Sequence, residues 1–267
     1  MGRAHHRRFF LSPEGLAGGQ AAFGPAQAHQ LVSVLRLGAG DLIAVFDGTG
    51  REWTAELTQA TPRRAQARLL AEHPPETPPR LAVTLAQVAP RGAAMDLIVA
   101  KATELGVSRI VPLEAEHSVR RTAASGGEAR WRRIIMEATE QCGRRRLPEL
   151  APACAVEQYL RMDPPSPVLL VCDQGGGARP LAEVCGTLLG AAEVTVLVGG
   201  EGGLSPEEVS LATRRGGRRV SLGPRLLRAE TAALAALAVV QACAGDWTSP
   251  DGGAVAEIPG PRGGRVA

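Results

Sequence analysis

Two stretches near the C-terminal end constrain this chain more than any other feature. In each, an apolar run breaks into glycine and then enters a helical pattern. The first is Leu197-Val198-Gly199-Gly200-Glu201-Gly202-Gly203-Leu204-Ser205; the second is Ser221-Leu222-Gly223-Pro224-Arg225-Leu226-Leu227-Arg228-Ala229-Glu230-Thr231-Ala232. Residues 194–198 read as a buried strand. Ser205-Pro206-Glu207-Glu208 carries the signals of a helix start: Ser as N-cap, Pro at the first helical position, Glu at the third. The second stretch ends a short strand at 221–223 and opens a nearly apolar helical run at 229–244. Strand, glycine, helix is the punctuation of an open α/β sheet, in which ligands gather at the carboxyl ends of the strands. Both corners are expected there.

Four glycines around one acid let the backbone approach a bound molecule and offer it bare N–H and C=O groups. Neither a phosphate-cradling G-x-x-x-x-G-K-[ST] nor a dinucleotide G-x-G-x-x-G is present. A nucleotide-dependent oxidoreductase is therefore disfavoured. Glu201 sits mid-loop, where its charge opposes a pyrophosphate, so a neutral or cationic ligand is expected. A tight strand-to-helix turn alone would account for the first loop. The second corner adds chemistry, because it crowds Arg225, Arg228, Glu230 and Thr231 at one strand end.

The 267 residues suffice for two domains with sizeable cores. No apolar run reaches the roughly 20 residues of a membrane span, and the charged N-terminus lacks a following apolar segment of the secretory kind. The expectation is a cytoplasmic protein with no membrane partner. Five cysteines, odd in number and without C-x-x-C spacing, argue against a disulfide framework and a zinc site, and the five histidines form no ligand pattern. No metal is expected. Net charge is only +3, so the distribution of charge matters more than its sum. Arginines 120, 121, 130, 132, 133, 144, 145 and 146 form one cluster and 214, 215, 218, 219, 225 and 228 another. Such patches supply phosphate contacts, although a solvated helix face would look the same.

Residues 8–11 read as a strand and 26–35 as a short helix. From Asp41 the pattern is hairpin-like: 42–46, a turn at Asp47-Gly48-Thr49-Gly50, then alternation through Trp53, Ala55 and Leu57 and again through Ala65, Ala67 and Leu69. Residues 1–74 are expected to form a small β-barrel, with 1–6 a loose basic end. His73 to Pro79, with four prolines, reads as a stiff linker. Beyond it, strands at 81–88, 107–113 and 168–172 alternate with helices at 93–105 and 129–142, the pattern of a parallel sheet. Asp173-Gln174-Gly175-Gly176-Gly177 closes the strand ending at Cys172. Residues 248–267, rich in Gly and Pro, are expected to be a disordered, dispensable tail.

The segments GGEGGLSPEE and SLGPRLLRAETA resemble the two signature motifs of the RsmE family, the 16S rRNA uridine-N3 methyltransferases of the SPOUT superfamily. Further matches are Lys101-Ala102-Thr103-Glu104-Leu105-Gly106-Val107, which holds the chain's lone lysine, residues 137–141 with the arginines after them, Arg8-Phe9-Phe10 and residues 29–36. The resemblance covers about residues 7–245. Two positions depart from the pattern: Gly200, where the family usually has proline, and His117, where arginine is common.

The resemblance implies an α/β fold in which a small PUA-like β-barrel (1–74), used for RNA binding, precedes a SPOUT trefoil-knot methyltransferase domain (75–247). It implies S-adenosyl-L-methionine as cofactor, bent against glycine loops and held largely by backbone groups. By carry-over Val198, Gly199, Gly200, Gly203, Leu222, Gly223, Leu227, Arg228 and Thr231 surround it, with Cys172 and the turn after it closing the other side. The implied substrate is uridine 1498 of 16S rRNA in the small ribosomal subunit. Methylation at N3 requires the imide proton removed or its anion stabilised; Arg228 and Glu230 are the expected catalytic pair, with Glu201 as the alternative carboxylate. Candidate RNA contacts are Arg7, Arg8, Arg36, Lys101 and Arg144. A homodimer is implied, the Ala-rich helix from Ala229 packing on a partner. A SPOUT enzyme acting elsewhere on RNA, and a non-catalytic ribosome-assembly factor, remain open at this point.

Overall fold

The computed structural model describes residues 7–114, 127–162 and 167–248. His117, Arg120, Arg121, the expected loose end at 1–6 and all but the first residue of the expected tail lie outside them. The described residues divide into two compact units: one runs to Thr77 and also takes Thr139–Leu147, and the other comprises Pro78–Ala138 and the described residues from Pro148 to Thr248.

In the first unit, strands β1 (Arg8–Phe10), β2 (Leu16–Ala17), β3 (Gln20–Phe23), β4 (Leu42–Phe46), β5 (Glu52–Thr61) and β6 (Arg64–Glu72) form one curled sheet in the order β1-β4-β5-β6-β3-β2. Only the β1–β4 pairing is parallel. Phe9, Phe23, Leu31, Ile43, Val45 and Leu57 fill its core, with the rings of Phe9 and Phe23 edge to face at 5.8 Å. The stretch expected as one helix at 26–35 is a short helix α1 (Pro25–His29) followed by a π-helical turn at Gln30–Val34. Arg36 leaves that turn in the left-handed region, at φ 56°.

The expected alternation in β5 holds for Ala55 and Leu57 and fails before them. A bulge between Thr54 and Ala55 shifts the register, so that Glu52 and Thr54 turn inward and Trp53 does not. Buried Glu52 is thereby brought to two arginines. Arg8 forms an ion pair with it, and Arg145 Nε lies 3.1 Å from its other oxygen. Arg8 was expected to contact RNA; its side chain is instead 1% exposed, stacked over Phe46 and donating to the Arg144 carbonyl at 3.1 Å. Burial pulls the Arg8 guanidinium below its ordinary value, with Glu52 opposing. A cation so enclosed is part of the core's charge balance and presents nothing to a phosphate.

The second unit is built on parallel strands β7 (Ala82–Val88), β8 (Arg109–Glu114), β9 (Glu149–Leu150), β10 (Cys154–Ala155), β11 (Leu169–Cys172), β12 (Arg179–Pro180), β13 (Glu193–Val198) and β14 (Arg218–Ser221). Their order is β10-β8-β7-β13-β11-β14-β12, with β9 also on β8. Helices α2 (Ala94–Glu104), α3 (Gly127–Cys142), α4 (Val156–Arg161), α5 (Leu181–Cys185), α6 (Pro206–Arg214) and α7 (Ala229–Ala244) follow the alternation read from the sequence. Met95, Ile98, Val99 and Ala102 all turn inward from α2. Residues alternate across the sheet: Ala86, Val88, Val171 and Leu197 pack with Tyr159, Leu160 and Ala212 of α4 and α6. The other face, with Leu85 and Val196, is covered by α7, which also packs against α2 and α5. Each such fully buried aliphatic side chain contributes about 1.5–3 kcal/mol.

Candidate functional site

Because every pairing in this sheet is parallel, the carboxyl ends of its strands share one edge. Val198 pairs with Gln87 of β7, and Cys172 with Val220 of β14. The corners after β13 and β14 therefore flank the end of β11, two strand spacings apart, roughly 10 Å.

The first corner is closed on itself. A Cβ on Gly199 would lie 2.5 Å from the carbonyl carbon of Gly203 and 2.7 Å from the Leu204 nitrogen, so only glycine fits where the loop crosses. Gly203, at φ +75°, donates to the Gly200 carbonyl at 3.0 Å. Gly200 lies so near β7 that a Cβ would sit 3.2 Å from Cγ1 of Val88; a proline ring here requires Val88 to give way. Ser205 and Glu208 form the reciprocal capping box expected from the sequence, at 3.1 and 2.8 Å. Glu201 is exposed and faces the loop after β7, accepting from the Arg91 N–H at 3.3 Å.

The second corner is open. Ser221 Oγ accepts from the Gly223 N–H at 3.2 Å, and Gly223 takes φ +103°. Leu222 and Leu227 are half-buried, while Arg225, Leu226, Arg228 and Thr231 are exposed. Arg228 is the N-cap of α7 without a side-chain cap, and Glu230 sits in the first turn, where a carboxylate is favoured by the helix dipole. Among the described residues Arg228 and Glu230 form no ion pair with each other or with another side chain.

The turn after β11 joins the second corner. Gln174 donates to the Arg225 carbonyl at 2.7 Å, and Arg219 of β14 holds Asp173 at 2.6–2.7 Å. Burial would raise the Asp173 carboxyl, but the Gly175 N–H and Arg219 outweigh it and hold it below the ordinary aspartate value. Burial pushes the Cys172 thiol up to about 12, so it stays protonated at neutral pH. In the sequence Asp173 and Gln174 read only as turn residues and Arg219 as one of a basic cluster; the contacts between that turn and β14 with its loop depend on strand order, which no local pattern encodes.

Backbone faces at Gly202, Gly203 and Gly223 are free of any neighbour within 4 Å of a Cβ position. Such surfaces fit a ligand read by main-chain groups, as expected for S-adenosyl-L-methionine, with no lysine or P-loop to favour phosphate. Val198, Gly199, Gly200, Gly203, Cys172, Leu222, Gly223, Leu227, Arg228 and Thr231 all lie at this edge. Lys101 is elsewhere, exposed on α2 and bridged to Glu104 at 2.7 Å. Arg144 follows α3 in the first unit, with Arg145 donating to the Pro74 carbonyl at 2.6 Å. Among the described residues no cluster of His, Cys, Asp or Glu is placed to hold a metal, and no helix is long and apolar enough to cross a membrane.

Residues 77–241 match an RNA methyltransferase domain and 24–70 an RNA methyltransferase PUA domain. The ribosomal RNA small subunit methyltransferase E of Synechocystis is 34% identical over 88% of this chain and 77% of its own length. That of Bacillus subtilis is 28% identical over 80% and 86%. Among solved structures, the ribosomal RNA small subunit methyltransferase E from Neisseria gonorrhoeae bound to S-adenosyl methionine superposes with a TM-score of 0.79 at 34% identity, covering 90% of this chain and 99% of that one. With a PUA-like curled sheet, a parallel-sheet methyltransferase unit of the SPOUT type and both glycine corners at one edge, the chain belongs to the ribosomal RNA small subunit methyltransferase E family.

Proposed function

We propose that this protein transfers the methyl group of S-adenosyl-L-methionine to N3 of uridine 1498 in the 16S rRNA of the small ribosomal subunit. The observation that carries the reading is the meeting of two glycine corners about the end of β11 in a chain of this family. When bound, S-adenosyl-L-methionine supplies an electrophilic methyl group. The first corner, with Gly199 and Gly203 fixed, holds the donor by backbone groups, while Leu222, Leu227 and the Cys172 end of β11 give it apolar walls. Thr231 and Arg228 border it from α7.

Arg228, exposed and unpaired among the described residues, stabilises the negative charge that develops on the uracil ring as N3 loses its proton. Glu230 takes that proton. Glu201, turned towards Arg91, is the weaker choice of base. N3 lies on the pairing edge, so the target base is unpaired or flipped out when it reacts.

The PUA-like unit, residues 1–74, grips RNA through Arg7 and Arg36, with Lys101 and Arg144 as further contacts. Residues 75–247 form the catalytic domain, its chain threaded as a trefoil knot, and 248–267 are dispensable. The enzyme works in the cytoplasm as a homodimer. Mass mapping of unmodified 16S rRNA in small subunits after incubation with protein and S-adenosyl-L-methionine tests this: one methyl group on uridine 1498 is expected. A methyl group at another position or on a ribose hydroxyl, or none, overturns it.

A further inference from the structure

Gln87 belongs to none of the signature motifs, yet it touches the first corner directly. It is the penultimate residue of β7, in register with Val198, and 0% exposed. Its Nε2 donates to the carbonyls of Val88 at 2.8 Å and Gly199 at 3.1 Å, and lies 3.5 Å from that of Val198. Three acceptor oxygens around one nitrogen settle the orientation of the amide, because Oε1 in that place would face only oxygens. Oε1 is left buried without a partner among the described residues. An unpaired buried acceptor lowers stability. The contribution of this side chain therefore lies in what its amino group holds.

What it holds is one of the two Gly–Gly peptides of the loop. Gly199 and Gly200 are adjacent and free of Cβ, so the peptide between them has wide conformational choice. In a planar trans peptide the carbonyl and the following N–H point in opposite directions. Fixing the Gly199 oxygen towards β7 fixes the Gly200 N–H away from it, and so sets the direction in which the chain enters the Gly200–Gly203 closure beside the open Gly202 face.

We propose that Gln87 is a positioning residue for the methyl-donor loop, setting the Gly199–Gly200 peptide plane from the neighbouring strand. This rests on the reading of that corner as part of the S-adenosyl-L-methionine site, and the test separates the two. Isothermal titration with S-adenosyl-L-methionine, alongside thermal melting, is applied to the full chain and to Gln87→Leu, Gln87→Glu and Val83→Ala. Val83 is a fully buried residue of the same strand, away from the loop.

The unmutated chain is expected to bind, and Gln87→Leu to bind roughly tenfold or more weakly. Val83→Ala, with at least as large a drop in melting temperature, is expected to bind within about twofold of the unmutated chain. In Gln87→Glu the carboxylate faces carbonyl oxygens, and protonation restores one donor, so its affinity relative to the unmutated chain should recover as pH falls from 8 towards 5. That variant decides the matter if Gln87→Leu does not fold. Unchanged affinity in Gln87→Leu, a loss that simply follows melting temperature across the variants, or a flat pH ratio for Gln87→Glu overturns the positioning role. Absence of binding by the unmutated chain overturns the site reading itself.

Discussion

The two glycine corners leave the same edge of one sheet, yet they are made in opposite ways. The corner after β13 is locked: Gly199 against the Gly203–Leu204 backbone, Gln87 on the Gly199 carbonyl, and a capping box at the helix start. The corner after β14 carries no side-chain cap and leaves Arg225, Leu226 and Arg228 exposed. A site that must hold a small donor and admit a large, charged acceptor needs both kinds. On the proposed reading, the rigid side gives the donor a fixed bed, and the open side keeps its cations available for the incoming nucleotide.

Variants that treat the corners separately sharpen this contrast. The largest effect is expected from Arg228→Ala, in which kcat falls by about 10²–10³ while S-adenosyl-L-methionine affinity stays within about threefold; single-turnover methylation and titration calorimetry read the two. Equal losses in both would assign the Arg228 side chain to donor binding and not to stabilising charge on the nucleotide. In Gly199→Ala the new methyl group meets backbone at 2.5 Å. The loop must move by the order of 1 Å, and donor affinity is expected to fall about 100-fold, measured by the same calorimetry. Ser205→Ala removes one half of the capping box and should cost about 1 kcal/mol of stability in chemical denaturation, with little change in kcat.

The smallest effect concerns the turn after β11, which is bonded to the second corner. Asp173 has a folded-state value below the ordinary one. Its contribution is full above the ordinary aspartate range near pH 4 and is lost as pH falls through the lowered value. For a partly exposed pair this amounts to at most about 1 kcal/mol. The stability gap between the unmutated chain and Asp173→Asn, followed from pH 7 to pH 2, should be constant above about pH 5 and close in acid; a gap that persists at pH 2 would remove the ion pair as its source.

Much of this was legible in local pattern. The strand at 194–198, the capping box at Ser205, the apolar face of α2 and the bounds of α7 follow from periodicity and cap chemistry, which act over a few residues. What escaped depends on distant partners. The bulge in β5 reverses the facing of Glu52, and with it the fate of Arg8, which looked like a surface cation at the chain's start. Gln87 read as one more strand residue until β13, more than a hundred positions later, was laid beside it. The hairpin of β2 and β3 and the two-residue strands β9, β10 and β12 are too short to carry a pattern. The edge was legible as two corners; the bonds that hold each of them from a neighbouring strand or turn were not.

Amide hydrogen exchange with and without S-adenosyl-L-methionine tests the shared pocket most directly. Bound donor should slow exchange at residues 199–204, 222–231 and 172–176 together, leaving the core of the curled sheet as it was. Protection confined to one corner, or appearing at a different edge of the sheet, would contradict it.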